Sequence, residues 1–260
     1  MLDILASDFY KLGKSRAFWL CLALCLLFAV IMVAAMQAGI TRITGGRGGG
    51  AFIAGIAENV SAAFALTIFI PASFHLIVIA VFVSLFVASE FNFGTMKNTL
   101  SRGAPRPKVF FSKIIVCSFS SMFMFLAFVI AIIVTGVFFW GPGGMAPLAQ
   151  MVSMVSLQGL MVLGYTALFT FVSMSLRGTG GAIATNVLTV TVAPTLLAAL
   201  SMLLDAQVRL DDFWLEWGVS NLASYTPEPG HVIRGVLIAF FWGLASIAAG
   251  LVLFSKQDVK

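Results

Sequence analysis

The sequence predicts an all-α, polytopic membrane protein with six transmembrane helices. Three observations carry that expectation. The chain has 260 residues, of which 60% are apolar and only 10% charged, whereas soluble domains carry about 25% charged residues. Six apolar runs, at 17–38, 64–88, 114–140, 148–176, 181–204 and 232–254, each approach or exceed the roughly 20 residues that cross a bilayer. The basic residues flank those runs unequally: eleven (Lys11, Lys14, Arg16, Lys97, Arg102, Arg106, Lys108, Lys113, Arg177, Lys256, Lys260) fall on one side and four (Arg42, Arg47, Arg209, Arg234) on the other. Positive-inside asymmetry of this kind predicts both termini in the cytoplasm and a multi-pass protein of the cell membrane. The formal charge of +5 is then a property of topology and implies no nucleic-acid partner. Residues 1–260 read as one transmembrane domain.

The chain opens with an amphipathic helix over 1–16. Leu2, Leu5, Phe9 and Leu12 share one face, while Asp3, Asp8, Lys11 and Lys14 lie elsewhere. Such a helix suits the membrane interface. Gly13-Lys14-Ser15 superficially resembles a phosphate-binding loop. Asp8 stands where the first glycine is needed, and an apolar run follows instead of a soluble helix. No other stretch offers a nucleotide site. Val33 and Ala35 have the spacing of a signal-peptide cleavage site, but the run is too long for an h-region of about 7–15 residues. It is read as span one.

Residues 39–63 read as a glycine-rich outer loop, with Phe52, Ile53, Ile56 and Val60 spaced for a short surface helix. Its glycines lack the strand, helix and Lys-Ser/Thr context of a phosphate cradle. Span two holds Pro71, an expected kink, and His75, the only ionisable side chain deep in any apolar run. One histidine with no carboxylate beside it makes neither a proton relay nor a protease dyad. Spans three and four are joined by an outer turn at Gly141-Pro142-Gly143-Gly144, and Gln158 is the one amide of span four. Arg177-Gly178-Thr179-Gly180 makes an inner turn. Span five carries Thr185, Asn186 and Thr189, with Pro194 as a second expected kink. Intramembrane polar groups face protein or a cavity. His75, Gln158, Thr185, Asn186 and Thr189 are therefore candidates for a substrate path or a subunit interface.

Residues 205–230 read as an outer cap of short interfacial helices. The cap is acidic, with Asp205, Asp211, Asp212, Glu216 and Glu228, and Trp214, Trp217 and Tyr225 are candidate interfacial anchors. Neighbours in sequence do not face each other on a helix, so Asp211 and Asp212 make no acid–base pair. Cys21, Cys25 and Cys117 sit in apolar runs and read as packing residues. They form neither a disulfide framework nor a metal set.

The segment 89–113 separates spans two and three and is strongly basic. Phe93, Met96 and Leu100 recur at helical spacing. Asn92 is placed to cap a short helix over Asn92–Arg102, Gly103 to end it, and Pro105 and Pro107 to prevent its continuation. Three large apolar side chains in a cytoplasmic loop call for a partner surface, because exposed apolar area costs about 25 cal/mol per Å². Glu90 and Lys97 are placed to orient the helix by pairing with that partner. Changing Met96 and Leu100 to Asp is expected to leave the spans intact.

Glu90, Gly94-Thr95, Lys97, Leu100, Gly103, Arg106 and Lys113 resemble the E…GT-x-K-x-x-L-x-x-G-x-x-R…K pattern of ABC-2 type transporter permeases, found between their second and third spans. Span count and length also agree. Pro105-Arg106-Pro107 departs from the family, where a Ser or Thr often precedes the Arg. The resemblance makes 89–113 a cytoplasmic coupling segment that docks on a separate ATP-binding subunit. Glu90, Phe93, Gly94, Thr95, Met96, Lys97, Leu100 and Arg102 are then the ATPase-coupling residues. It further implies that the N-terminal helix touches that subunit, that ATP and Mg bind there with no cofactor on this chain, and that two permease copies or related permeases pair as a dimer. The function implied is export of an amphipathic substrate: a peptide, bacteriocin, drug or lipid-like molecule. The opening SDFYKLGKSRAFW is similar to permeases of lantibiotic self-protection and antimicrobial peptide export. The alternative is a channel or secondary carrier not coupled to ATP, which would want charged residues along its spans. A membrane enzyme would want paired catalytic groups at membrane depth, and the sequence shows none.

Overall fold

A computed structural model describes residues 2–45, 60–96, 101, 103, 105–204 and 209–256. Its helices are α1 (Leu2–Lys14), α2 (Arg16–Gly45), α3 (Ala62–Phe69), α4 (Phe74–Asn92), α5 (Arg106–Trp140), α6 (Leu148–Leu176), α7 (Thr179–Thr191), α8 (Ala193–Leu203), α9 (Leu215–Asn221) and α10 (Pro229–Lys256). A single 3-10 turn at Asp211–Phe213 precedes α9. No strand occurs among the described residues. Of the outer loop expected over 39–63, residues 39–45 instead continue α2 and Ala62 already starts α3; the glycines after Gly45 and the surface helix expected at Phe52, Ile53 and Ile56 lie outside the described residues.

Five helices, α2, α4, α5, α6 and α10, are long and apolar enough to cross a membrane, and α7 with α8 makes a sixth crossing if the bent pair is one span. Large apolar side chains stay exposed along these helices, among them Leu20 and Ile31 on α2, Phe119 and Ile130 on α5, and Leu237 and Phe241 on α10. A belt of this extent is a surface made for lipid rather than water. The chain is therefore a helical membrane protein.

Both expected prolines mark breaks. Span two is two helices. α3 stops before Pro71, and Ser73 turns the chain in the left-handed region at φ 59° before α4 begins. Span five bends by 52° between α7 and α8. Pro194 sits in the first turn of α8, where its missing N–H disturbs no helical bond. α5 differs from expectation by starting eight residues before the apolar run, at Arg106 rather than 114. Its 35 residues make a helix about 52 Å long against a hydrocarbon core of about 30 Å. Its first turns, with Arg106, Lys108 and Lys113, thus extend past the apolar part.

The helices alternate in direction, so the two ends of the bundle differ. The basic end gathers α1, the starts of α5 and α7 and the last turns of α4, α6 and α10. There Asn92 Nδ2 donates to Thr179 Oγ1 at 2.5 Å and Arg106 donates to the Ser255 carbonyl at 2.8 Å. At the acidic end Trp140 Nε1 donates to Gln37 Oε1 at 2.6 Å and the Tyr225 hydroxyl to the Ala63 carbonyl at 2.8 Å. The cap is folded onto this end. Trp214 packs edge-on against Trp242 at 4.6 Å, and the Arg234 guanidinium lies 4.4 Å over the Trp217 ring. The cap aromatics thus fasten the cap to α10.

Two glycines permit close helix contacts. A Cβ on Gly136 of α5 would stand 2.8 Å from the Ala62 Cα, and one on Gly250 of α10 would stand 2.3 Å from the Phe110 ring. Both distances are below any real Cβ contact: α3 and α5 approach backbone to backbone because Gly136 lacks a side chain, and the Phe110 ring fills the space that a side chain at Gly250 would take.

Candidate functional site

At the basic end a charged cluster is built from three helices. Lys113 Nζ lies 2.7 Å from Asp8 Oδ1 on α1 and 2.7 Å from Glu90 Oε1 on α4. The Ser112 hydroxyl donates to Asp8 Oδ2 at 2.7 Å. Lys11 adds a contact of 3.1 Å to Glu90 and one of 3.7 Å to Asp8. The Lys113 ammonium also lies 5.1 Å over the Phe86 ring. Side-chain exposure is 1% for Lys113 and 3% for Asp8, so this pair is withdrawn from water, while Lys11 at 43% is not. Two carboxylates face two ammonium groups, which balances the cluster.

Local sequence explains the placement. Asp8 and Leu12 are four apart on α1 and both are buried, so they share the face turned to the bundle. This face differs from the stripe read from sequence, which left Asp8 on the polar side. α1 packs on α5, with Phe9 edge-on to Phe119 at 5.3 Å. α1 is therefore fixed to the start of α5 and not only laid on a lipid surface.

The segment after α4 differs from expectation in three ways. Asn92 does not cap a new helix but ends α4. The chain turns at Gly94 with φ 65°, and helical conformation resumes at Thr95 and Met96. Glu90 is paired within the chain, to Lys113 and Lys11, rather than kept for a partner. Met96 is 1% exposed and belongs to the core, whereas Phe93 is 80% exposed. The stripe of Phe93, Met96 and Leu100 is therefore not one presented face. Thr95 Oγ1 donates to the Glu90 carbonyl at 3.2 Å, and Gly103 has the positive φ of 84° that its predicted ending role requires. Lys97, Leu100 and Arg102 lie outside the described residues. Beside Phe93 is a cleft of about 330 Å³ lined by Lys11, Ser15, Phe86, Ser89 and Glu90.

The five candidate residues of the spans do not gather. Asn186 is fully buried, and its Nδ2 lies 2.8 Å from Ser84 Oγ on α4, 3.0 Å from Ser173 Oγ and 3.2 Å from the Phe169 carbonyl on α6. It joins three helices. Gln158 donates to the Val219 carbonyl at 2.9 Å and ties α6 to the cap. His75 is buried between Phe125 and Phe128, with ring centroids 5.4 and 5.1 Å away. Its Nδ1 makes no hydrogen bond. Thr185 is exposed, and Thr189 only returns its hydroxyl to the Thr185 carbonyl at 2.8 Å. Replacing Asn186 with Leu is expected to destabilise the fold by about 1–3 kcal/mol, the range for losing a buried hydrogen-bonded group, while Thr185→Val stays within about 0.5 kcal/mol. Thermal unfolding in detergent measures both. Equal melting temperatures for the two variants would remove Asn186 from the interhelical joint.

At the acidic end Glu216, on α9, is half-buried. The Ser73 hydroxyl donates to its Oε1 at 2.9 Å and the Tyr165 hydroxyl to its Oε2 at 3.2 Å. Burial pushes the carboxyl above the usual glutamate range, against the opposing pull of those two hydrogen bonds. Ser73 reaches it because the left-handed turn after Pro71 aims the hydroxyl at the cap. Sequence reasoning placed Glu216 among the cap acids but gave it no role. Its only signal was an acidic residue between Trp214 and Trp217.

The fold and these clusters define a class: a helical membrane protein with a neutralised ionic joint at one end and a half-buried carboxylate at the other. The chain belongs to a family described as protein of unknown function (DUF2705), whose model matches residues 19–207. That match spans α3 to α8 and the Glu90 and Lys113 positions. No curated protein matches the chain.

Proposed function

We propose that the chain is the membrane-spanning permease subunit of an ATP-driven exporter of the ABC-2 type, with the basic end in the cytoplasm. ATP and Mg bind a partner subunit, and a second permease copy completes the path for an amphipathic substrate. One observation carries the reading: Phe93, 80% exposed, projects at the basic end from the segment whose residues resemble the permease coupling pattern. A large side chain left bare beside a charged cleft is a docking feature. The ionic joint gives that docking a consequence. Glu90 follows the α4 end, Lys113 the α5 start and Asp8 α1, so a push at Phe93 moves three helices as one block. Nucleotide binding on the partner then shifts the balance between two arrangements of the spans by its differential affinity for them.

The test places a photo-crosslinking amino acid at position 93 of the full chain in its native cells. The expected adduct contains an ATP-binding subunit, identified by mass spectrometry. Phe93→Asp should lower co-purification of that subunit by five- to thirtyfold, as loss of about 1–2 kcal/mol at an interface anchor would, with the melting temperature unchanged. An adduct without any ATP-binding protein, or undiminished co-purification, would overturn the proposal.

A further inference from the structure

Glu216 lies between two cavities. One, of about 470 Å³, lies between the start of α4 and the bent α7–α8 pair. Its wall is mostly apolar: Pro71, Ile77, Val190, Pro194 and Ala198. Thr191 and Thr195 are exposed at its rim. The other, of about 310 Å³, lies on the cap side and is lined by Pro194, Arg209, Asp211, Asp212 and Trp217 together with Glu216. Glu216 and Pro194 line both.

The neighbouring acids already have cations. Asp211 holds Arg209 at 2.7 Å, and Asp212 holds Arg234 at 3.2 Å. Among the described residues Glu216 has only the neutral Ser73 and Tyr165 hydroxyls. Two neutral donors, one on each oxygen, fix the carboxylate plane but leave its charge uncompensated. Each oxygen keeps a free acceptor direction. Burial makes the bare anion costly, as the upward shift of its pKa also indicates. A cation seated there would relieve that cost. A metal ion would want several more hard ligands, and the larger cavity instead offers hydrocarbon contact.

We propose that the cavity beside Glu216 binds an organic ammonium ion, with the cationic head on the carboxylate and the hydrocarbon part against the Pro71, Ile77, Pro194 and Ala198 wall. The broken spans create the site. The turn at Pro71–Ser73 brings its hydroxyl to Glu216, and the 52° bend of α7–α8 opens the space beside it. This holds independently of ATP coupling at the opposite end.

The test uses the full chain in phosphatidylcholine nanodiscs near neutral pH, with empty discs as the blank. Calorimetric titration with cyclohexylmethylammonium is expected to show saturable binding, and the neutral isostere cyclohexylmethanol to bind at least about tenfold more weakly. Glu216→Gln keeps the shape and an acceptor for one of the two hydroxyls but removes the charge. It should weaken ammonium binding at least about tenfold, the scale of one charge-assisted hydrogen bond. Asp211→Asn should leave the affinity within about twofold, because Arg209 already occupies that carboxylate. Ala198→Phe fills the cavity from α8 with the carboxylate untouched and should abolish binding, which keeps the test decisive if Glu216→Gln fails to fold. Absent wild-type binding, equal affinity for the alcohol, undiminished binding by a folded Glu216→Gln or by Ala198→Phe, or a tenfold loss in Asp211→Asn would overturn the proposal.

Discussion

Replacing Lys113 with Met is expected to destabilise the protein by about 3–5 kcal/mol, the cost of breaking a buried ion pair by removing one partner. The size follows from what is left behind. Asp8, with a side chain 3% exposed, would keep only the Ser112 hydroxyl and the 3.7 Å contact to Lys11. Glu90 is 12% exposed and retains Lys11 at 3.1 Å, so its loss is the smaller. Asp8 therefore accounts for most of the penalty. Combining Lys113→Met with Asp8→Asn should recover a large part of it, because Asn can still accept from Ser112 and carries no charge. This non-additivity is the signature of direct coupling. Thermal unfolding of the two single variants and the double variant measures it. Trypsin adds a local readout: cleavage after Lys11 and Lys14 should accelerate in Lys113→Met, since α1 loses its tie to α5. A single variant within about 1 kcal/mol of the wild type, or penalties that simply add, would show that the three helices are not joined through this charge.

That joint was the least legible part of the sequence. Hydropathy finds the spans because membrane length and transfer free energy depend on local composition. It found the five helices long and apolar enough to cross a membrane and the bent α7–α8 pair, and Pro71 and Pro194 marked the two breaks because a proline cannot continue the helix that precedes it. Asp8 and Lys113 are 105 residues apart, and no local property of either announces the other. Asp8 was assigned to the solvated side of an amphipathic helix, since a carboxylate opposite Leu5 and Phe9 is ordinarily wet. Lys113 was visible as one of eleven flanking basic residues and as the last residue of a family pattern, neither of which gives it a buried partner. Glu216 was obscured in the same way, with its partners Ser73 and Tyr165 lying 143 and 51 residues away. Polar residues within a span were over-read for the opposite reason. Composition identifies Thr185 and Asn186 alike as unusual, but only the packing of α4 and α6 distinguishes the buried amide from the exposed hydroxyl.

Met96→Asp is expected to destabilise the protein by about 4 kcal/mol or more, and Phe93→Asp to leave its stability nearly unchanged. The two residues are three apart in a segment that reads from sequence as one apolar stripe. The turn at Gly94 separates them: Met96 is 1% exposed and Phe93 is 80% exposed. Truncating a buried methionine alone costs about 2–5 kcal/mol. An aspartate there adds a carboxylate with no space in water, which either stays charged at high cost or takes up a proton. Met96→Leu, close in volume, should cost less than about 1.5 kcal/mol. Phe93→Asp removes apolar surface that the isolated chain does not bury, so no folding free energy is lost with it. Melting temperatures in detergent, with far-ultraviolet dichroism to confirm helix content, separate the variants. A Met96→Asp protein as stable as the wild type would mean that this segment opens readily in the folded chain. Met96 would then join Phe93 on the surface offered to a partner, and the exposed stripe read from the sequence would be restored.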